Sequence, residues 1–298
     1  MSSSHDITLT PQEQALIMRL KSFRVPEMAH ILEEQLKDPN ADLNTFMERM
    51  TAMVDAEWQA RADKRFNRLM KEAHLRYPAA DLDETIYRPE RQLDTQTIEQ
   101  LSTCHWIEEG KNLIVTGSSA SGKTYLINAF CVTAMKQSKS VKYIKANTLM
   151  SEMEQTRIKS TNLNYLNKLT KLDLLVIDDF GLMDLDLDKC RDLFEVLDTR
   201  DGRKSTVVIS QFPVSTWFDM FADNTYADAC LTRITDKHHT YRLEMSVFFS
   251  QNTSYNREIQ ISPVPISGSA IPVMIPFEYP QIGYLNLTIS PNLYRSWM

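Results

Sequence analysis

The chain has 298 residues, of which 43% are apolar and 24% are charged, with 33 basic side chains against 39 acidic ones. That length corresponds to about two domains, and the composition excludes collagen-like, mucin-like and wholly disordered chains. No apolar run reaches the roughly 18 residues that a membrane span needs, and the first residues do not resemble a secretion signal. The four cysteines show neither metal-ligand spacing nor a disulfide framework. We therefore expect a cytoplasmic protein with no membrane partner.

The first part of the chain, residues 1–95, predicts a small all-α N-terminal domain. The pattern of a capping box, threonine followed three residues later by glutamate, occurs at Thr10 and again at Thr45. The second box begins a long helix that we expect to end near residue 75. Its predicted apolar positions are Phe46, Met50, Met53, Val54, Trp58, Phe66, Leu69 and Met70.

The middle of the chain, residues 96–245, alternates short apolar β-rich runs with helical stretches. Such alternation is typical of βα units, which build a parallel sheet with helices on both faces. We therefore predict an α/β fold here. The predicted strands are residues 113–116, 141–144, 174–177, 206–210 and 240–243.

A glycine-containing loop, GSSASGKT at residues 117–124, lies between the first predicted strand and an amphipathic helix. This is the phosphate-loop pattern of P-loop NTPases in the context that the motif requires. Lys123 is predicted to reach the β- and γ-phosphates of ATP, and the Thr124 hydroxyl to bind Mg²⁺. The predicted nucleotide-binding residues are Gly117, Ser118, Ser119, Ala120, Ser121, Gly122, Lys123, Thr124 and Tyr125.

Two adjacent aspartates follow the third predicted strand. Asp178 is expected to hold the Mg²⁺ together with Thr124, and Asp179 to orient or polarise the attacking water. One βα unit fits between the phosphate loop and this strand, so we expect the two strands not to be neighbours in the sheet. The Asn-Lys-x-Asp pattern that recognises guanine is missing downstream, which favours ATP over GTP.

Two further polar residues are candidates for catalytic roles. Gln211 follows the fourth strand and could bond the γ-phosphate or the water, although Ser210, or a simple capping role, remains open. Arg233 ends a predicted short helix and could reach the nucleotide of a neighbouring subunit, a contact worth about 10³–10⁵ in rate. A surface ion pair is its alternative role, and Arg200 and Arg203 are weaker candidates.

The order of these motifs resembles the IstB family, the AAA+ ATPase helper proteins of two-gene insertion sequences, which are related to DnaC and DnaA. The resemblance rests on GSSASGKT, LLVIDDFG and STVVISQFP, together with N-terminal matches such as LEEQL and VDAEW, and it covers residues 10–245. It implies a homo-oligomeric, nucleoid-associated ATPase that assembles on double-stranded DNA and assists the transposase encoded by the same element.

The predicted long helix carries a basic stripe. At about 100° per residue its five cations fall within an arc of about 120°, opposite a predicted apolar seam of Ala62, Phe66, Leu69, Met70 and Ala73. Because the net charge is −6, DNA binding would need such a local patch. A solvated helix face is the alternative, and residues 200–204 form a weaker second patch. The predicted DNA-binding residues are Arg61, Lys64, Arg65, Arg68 and Lys71.

The chain departs from the family pattern at two places. Ala120 stands where the family carries another glycine, and residues 246–298 form a low-charge, Pro/Ile-rich tail in place of a short basic end. We expect this tail to be a frameshifted or fused C-terminus. The alternatives for function are a DnaC-like helicase loader, a nucleotide-gated DNA-binding adaptor with little hydrolysis, and a small-molecule phosphotransferase, for which no acceptor pocket is indicated.

Overall fold

The structure is a computed structural model, and it describes residues 9–84 and 95–245. The predicted tail at residues 246–298 lies outside the described residues. Within the described part of the chain, no helix combines the length and the apolar character needed to cross a membrane.

Three helices come first among the described residues: α1 at Pro11–Ser22, α2 at Pro26–Lys37 and α3 at Phe46–Ala73. A short 3₁₀ turn at Ala41–Leu43 lies between the last two. Both predicted capping boxes are present. The threonine hydroxyl of each accepts the N–H of the glutamate three residues later, whose carboxylate accepts the N–H of the threonine. The helix ends are therefore set by local sequence.

The 28-residue helix α3 has two different packing partners along its length. Its first half packs against α2, whereas Leu69 and Ala73 in its second half belong to the core beneath the sheet. Several of the apolar positions predicted for this helix are not buried. Trp58 is 76% exposed, and Phe46 and Val54 are also exposed, because α2 covers only the side of α3 that carries Met53.

The sheet has five parallel strands in the order β2-β3-β4-β1-β5. The strands are β1 at Asn112–Gly117, β2 at Val141–Lys145, β3 at Leu174–Phe180, β4 at Ser205–Ser210 and β5 at Thr240–Met245. The remaining helices are α4 at Thr95–Ser102, α5 at His105–Glu108, α6 at Lys123–Lys136, α7 at Ala146–Ile158, α8 at Asn162–Lys171, α9 at Leu187–Arg200 and α10 at Asn224–Thr235. The predicted α/β fold with a parallel sheet is confirmed.

Alternate residues of each strand pack against opposite layers of helices. One hydrophobic core joins the sheet to α3, α4, α5 and α6, and the other joins it to α7, α8, α9 and α10. Because both faces are covered, the strands read as nearly continuous apolar runs in the sequence.

The strand order determines where the motifs meet. β4 lies between β1, which leads into the phosphate loop, and β3, which carries the two aspartates, as predicted from the spacing. All five strands run in the same direction, so their carboxyl ends share one edge of the sheet. Ligands of open α/β sheets bind at this edge.

Candidate nucleotide-binding site

The phosphate loop uses backbone conformations that most residues avoid. Gly117 has φ of 145° and Gly122 has φ of 87°. A Cβ on Gly117 would lie 1.9 Å from the carbonyl oxygen of Met245, the residue opposite it on β5, so only glycine fits there. Ala120 also has a positive φ, of 62°. A left-handed conformation costs an alanine about 1–2 kcal/mol, which explains in physical terms why a glycine suits this position.

Lys123 occupies the centre of this loop. Its side chain is buried, and Nζ donates hydrogen bonds to the carbonyl oxygens of Gly117 and Ser118, both at 2.7 Å. Burial lowers the pKa of Lys123, although the nearby charges of Asp178 and Asp179 act in the opposite direction. The ammonium group is thus held inside the loop by weak acceptors, which a phosphate oxygen could replace.

The loop leads directly into α6, whose N-terminus is open to a ligand. Gly122 is the N-cap residue, and no side chain caps the first N–H groups of this 14-residue helix. Such groups, with the positive end of the helix dipole, favour a phosphate.

Asp178 connects the phosphate loop to β3. Its Oδ2 accepts hydrogen bonds from the Thr124 hydroxyl at 2.9 Å and from the Tyr143 hydroxyl at 2.5 Å, and its Oδ1 accepts the backbone N–H of Asp179 at 2.7 Å. The residue is only 2% exposed. The structure therefore brings together the two residues predicted to hold Mg²⁺.

Asp179 lies at a bulge in β3. Its φ is 59°, and the pairing of β3 with β4 shifts register between Ile177 and Phe180. Bulges next to sites often redirect a side chain. The Asp179 carboxylate forms an ion pair of 2.7 Å with Lys145, which ends β2. Sequence analysis did not identify this partner.

The segment that follows α3 is bound to α6, near the phosphate loop, by hydrogen bonds and a contact between two rings. The Tyr77 N–H donates to Asn128 Oδ1 at 3.0 Å, and the rings of Tyr77 and Tyr125 lie 6.0 Å apart. The Tyr125 hydroxyl donates to Glu84 and accepts the N–H of Asp81. Tyr125, one of the predicted nucleotide-binding residues, thus orders the neighbouring chain.

The two candidate residues at the end of β4 have different surroundings. Ser210 is buried, and its hydroxyl donates to the carbonyl oxygen of Phe180 at 2.7 Å, bracing β4 against the end of β3. Gln211 is exposed immediately beyond the strand. Of the two, Gln211 has the side chain that is available to a ligand.

Arg233 is engaged within its own subunit. Nε and Nη2 donate to Asp198 at 3.0 and 2.5 Å, Nη1 donates to the carbonyl oxygen of Ala229, and the guanidinium lies 4.6 Å from the ring centre of Phe194. This corresponds to the ion-pair alternative. Contact with a neighbouring subunit would require these bonds to break, and it stays a prediction.

Arg200 was a weaker candidate for a catalytic or DNA-binding role in the sequence, but its side chain is not available for either role. It is 1% exposed, and burial lowers its pKa to about 10. Its guanidinium donates to four acceptors at the junction of α8, α9 and β4, so its role is structural. These acceptors are the carbonyl oxygens of Leu169, Leu172 and Ser205 and the Thr206 hydroxyl.

The cations of the basic stripe on α3 differ in whether they bond to other groups of the protein. All five side chains are exposed. Arg61 pairs with Glu57 and donates to the carbonyl oxygen of Arg24, and Arg65 donates to the Ser138 hydroxyl. Within the described part of the chain, Lys64, Arg68 and Lys71 show no hydrogen bond or ion pair. On the opposite side, the apolar seam is correct except for Ala62, which is exposed.

The donor set fits a magnesium-bound nucleoside triphosphate. Mg²⁺ normally keeps several waters and takes one or two protein ligands plus phosphate oxygens, rather than a cage of protein side chains. Among the described residues there is no cluster of three or more histidine, cysteine or acidic groups that could hold a metal alone. Thr124, Asp178 and the amides of the loop supply what such a ligand needs.

A comparison of the sequence with known families agrees with a nucleotide-binding site at this place. The model of the IstB-like ATP binding protein family matches residues 18–255. The chain belongs to this family. An ATP-binding protein of insertion sequence IS1162 from Pseudomonas fluorescens is 36% identical over 203 residues, covering 68% of this chain and 88% of that protein. An insertion-sequence ATP-binding protein from Sinorhizobium fredii is 32% identical, covering 76% and 90%.

The predicted resemblance to IstB proteins is therefore confirmed, and with it the assignment to a family of ATP-binding proteins. A crystal structure of the DnaC helicase loader superimposes with a TM-score of 0.48 at 19% identity, covering 57% of this chain and 98% of that one.

Proposed function

We propose that this IstB-like protein is a Mg²⁺-dependent ATPase that assembles as a homo-oligomer on double-stranded DNA and assists the transposase of its insertion sequence in choosing a target. The hydrogen bond between Thr124 and Asp178 carries the proposal, because it joins the phosphate loop to the acidic strand at the edge where ligands bind. Its relatives include insertion-sequence ATP-binding proteins, which supports the biological setting.

Each polar residue at the sheet edge has a distinct task in this proposal. Lys123 and the amides of the loop bind the phosphates, and Thr124 with Asp178 holds the metal. Bound Mg²⁺ neutralises charge that develops on the phosphate oxygens. Asp179 orients the attacking water and accepts its proton, and Gln211 bonds the γ-phosphate or that water.

The helix α3 offers a physical route between the nucleotide site and DNA. Lys64, Arg68 and Lys71 lie exposed on one side, whereas Leu69 and Ala73 on the other side are buried in the core that also contains the α6 residues following the phosphate loop. A change of loop conformation is thereby transmitted to the basic stripe through direct packing. In this scheme ATP binding controls assembly on DNA, and hydrolysis controls release.

The first test is the substitution Lys123→Ala. Hydrogen bonds to charged groups contribute about 1.5–3 kcal/mol each, so we expect ATP affinity in a calorimetric titration to fall about 10–100-fold. ATP-dependent retention of double-stranded DNA should be lost together with it. Lys168→Ala, which removes an exposed lysine on α8, is the matched control and should bind ATP normally. Unchanged ATP affinity in Lys123→Ala would remove the basis of the proposal.

A further inference from the structure

The carboxylate of Asp178 is oriented by three donors from three different elements. Thr124 on α6 and Tyr143 on β2 both donate to Oδ2, and the N–H of Asp179 on β3 donates to Oδ1. A carboxylate has about four positions that can accept a hydrogen bond, so these donors fill three of them. Thr124 and Asp178 are the predicted metal ligands, whereas Tyr143 was not recognised in the sequence.

The position of Tyr143 suits a fixed donor. It lies opposite Val176 in the register of β2 and β3, so Asp178 is its diagonal neighbour two residues further along β3. Its ring is buried in the core that the sheet shares with α6. Burial, followed by the hydrogen bond to Asp178, raises the pKa of the Tyr143 hydroxyl well above its ordinary value. The buried ring thus holds the Tyr143 hydroxyl at a fixed place, from which it donates a hydrogen bond to Asp178 Oδ2.

We propose that Tyr143 is a positioning residue for the magnesium site, whose hydroxyl holds the Asp178 carboxylate in the orientation that faces Thr124. This inference rests on the proposed Mg²⁺-dependent function. Without the hydroxyl, Asp178 loses one of its two side-chain donors, and its carboxylate can rotate away from the metal position. Groups that orient a metal ligand in this way typically contribute 10–100-fold to metal affinity.

A second tyrosine provides a matched control. The Tyr165 hydroxyl donates to Glu152 at 2.5 Å, the same distance as in the pair of Tyr143 and Asp178. Burial likewise raises the pKa of Tyr165. Tyr165 packs against the opposite core, the one formed with α7, α8, α9 and α10, so its loss leaves Asp178 untouched.

The experiment measures binding of a non-hydrolysable ATP analogue by calorimetry across a Mg²⁺ titration and in EDTA. For Tyr143→Phe we expect the Mg²⁺ concentration at half-maximal enhancement to rise about tenfold, with the affinity in EDTA unchanged. Tyr165→Phe should follow the wild type throughout. Both substitutions remove one hydroxyl that donates to a carboxylate, so a general effect of losing such a bond would appear in both variants.

Two results would overturn the inference: a Mg²⁺ titration of Tyr143→Phe that superimposes on the wild type, or an equal loss of affinity with and without Mg²⁺. If Tyr143→Phe does not fold, a series of fluorinated tyrosines incorporated at position 143 tests the inference instead. Ring fluorines strengthen the hydroxyl as a donor, so the Mg²⁺ midpoint should fall along the series, and a flat series contradicts the inference. Wild-type protein that binds no nucleotide under any condition would instead refute the proposed function.

Discussion

At the scale of single residues, the two adjacent aspartates have different surroundings, which suit the two different roles that we propose for them. Asp178 is buried and accepts three hydrogen bonds, whereas Asp179 is half-buried, has a left-handed backbone and pairs with the flexible ammonium of Lys145. A carboxylate that orients water must be free to change partners, and Asp179 fits that requirement. The sequence alone, an acidic pair after an apolar strand, did not distinguish these environments.

The role of Asp179 is tested by Asp179→Asn. Asparagine tolerates a positive φ, so the bulge should be retained while the negative charge is lost. We expect nucleotide binding to remain, ATP hydrolysis to fall at least about 100-fold, and DNA complexes formed with ATP to persist longer. Phosphate release and DNA dissociation are the measurements. Asp184→Asn removes an exposed carboxylate nearby and should hydrolyse normally; rapid turnover in Asp179→Asn would refute the water-orienting role.

Arg200 is buried and Arg203 is exposed, so substituting each of them tests how burial changes an arginine's contribution to stability. Arg200→Ala leaves buried carbonyl oxygens without a donor, and loss of such a hydrogen-bonded charge costs about 3 kcal/mol or more. Arg203 is exposed, so Arg203→Ala should change the free energy of unfolding by no more than about 0.5 kcal/mol. Urea unfolding measures both. Equal stability of the two variants would contradict the structural role of Arg200.

At the scale of elements, the turn between α1 and α2 is stabilised by a helix that follows later in the chain. No side chain of the turn caps α2; instead Glu57 on α3 accepts the N–H of Glu27 at 3.0 Å. Arg61, one turn further along α3, pairs with Glu57 and donates to the carbonyl oxygen of Arg24. Part of the basic stripe is thus engaged in holding the helices together.

The stability contribution of Glu57 depends on pH. Burial raises its pKa, but the hydrogen bonds from Arg61 and from the Glu27 N–H outweigh burial, and the pKa lies below the ordinary 4.5. The stabilisation is therefore complete above pH 4.5 and is lost as the pH falls through the lower value of the folded state.

We expect Glu57→Gln to lose about 1–2 kcal/mol at pH 7, typical of a lost helix cap, and the difference from the wild type to shrink near pH 3. Urea unfolding at the two pH values checks this. Glu72→Gln, at an exposed position of α3, should show neither effect. A difference that is the same at both pH values would contradict the cap.

The sequence predicted the elements well because their signals are local. Threonine–glutamate boxes fixed the starts of α1 and α3, and apolar runs fixed the strands within a few residues. β3 continues to Phe180, past both aspartates, because the bulge lets the strand resume after Asp179. Contacts between distant segments could not be predicted. Tyr143 meets Asp178 only because β2 and β3 are neighbours, and Trp58 is exposed because α2 covers the side of α3 that carries Met53.

At the scale of the whole molecule, the second half of α3 carries a local group of exposed cations on an acidic chain. Lys64, Arg68 and Lys71 are exposed beyond the part of the helix that α2 covers. A local basic surface on a protein with net charge −6 favours contact with a polyanion at that place and discourages it elsewhere.

The DNA surface is tested by reversing Lys64, Arg68 and Lys71 to Glu, which spares the structural bonds of Arg61 and Arg65. Each lost phosphate contact should reduce the slope of log affinity against log salt by about 0.9, so the slope should fall by about 3. Reversing Lys159, Lys168 and Lys171, exposed residues on or beside α7 and α8, changes the net charge equally and serves as the control. Similar slopes for the two triple variants would favour a merely solvated helix face.

The close approach of Met245 to Gly117 has a consequence for biosynthesis. The first glycine of the phosphate loop ends β1, and the neighbours of β1 are β4 and β5, the latter being the last strand among the described residues. In a nascent chain that has been translated only through β4, the edge of β1 that later pairs with β5 is still unpaired. The close packing that admits only a glycine at position 117 therefore forms late in translation, long after α3 has been made.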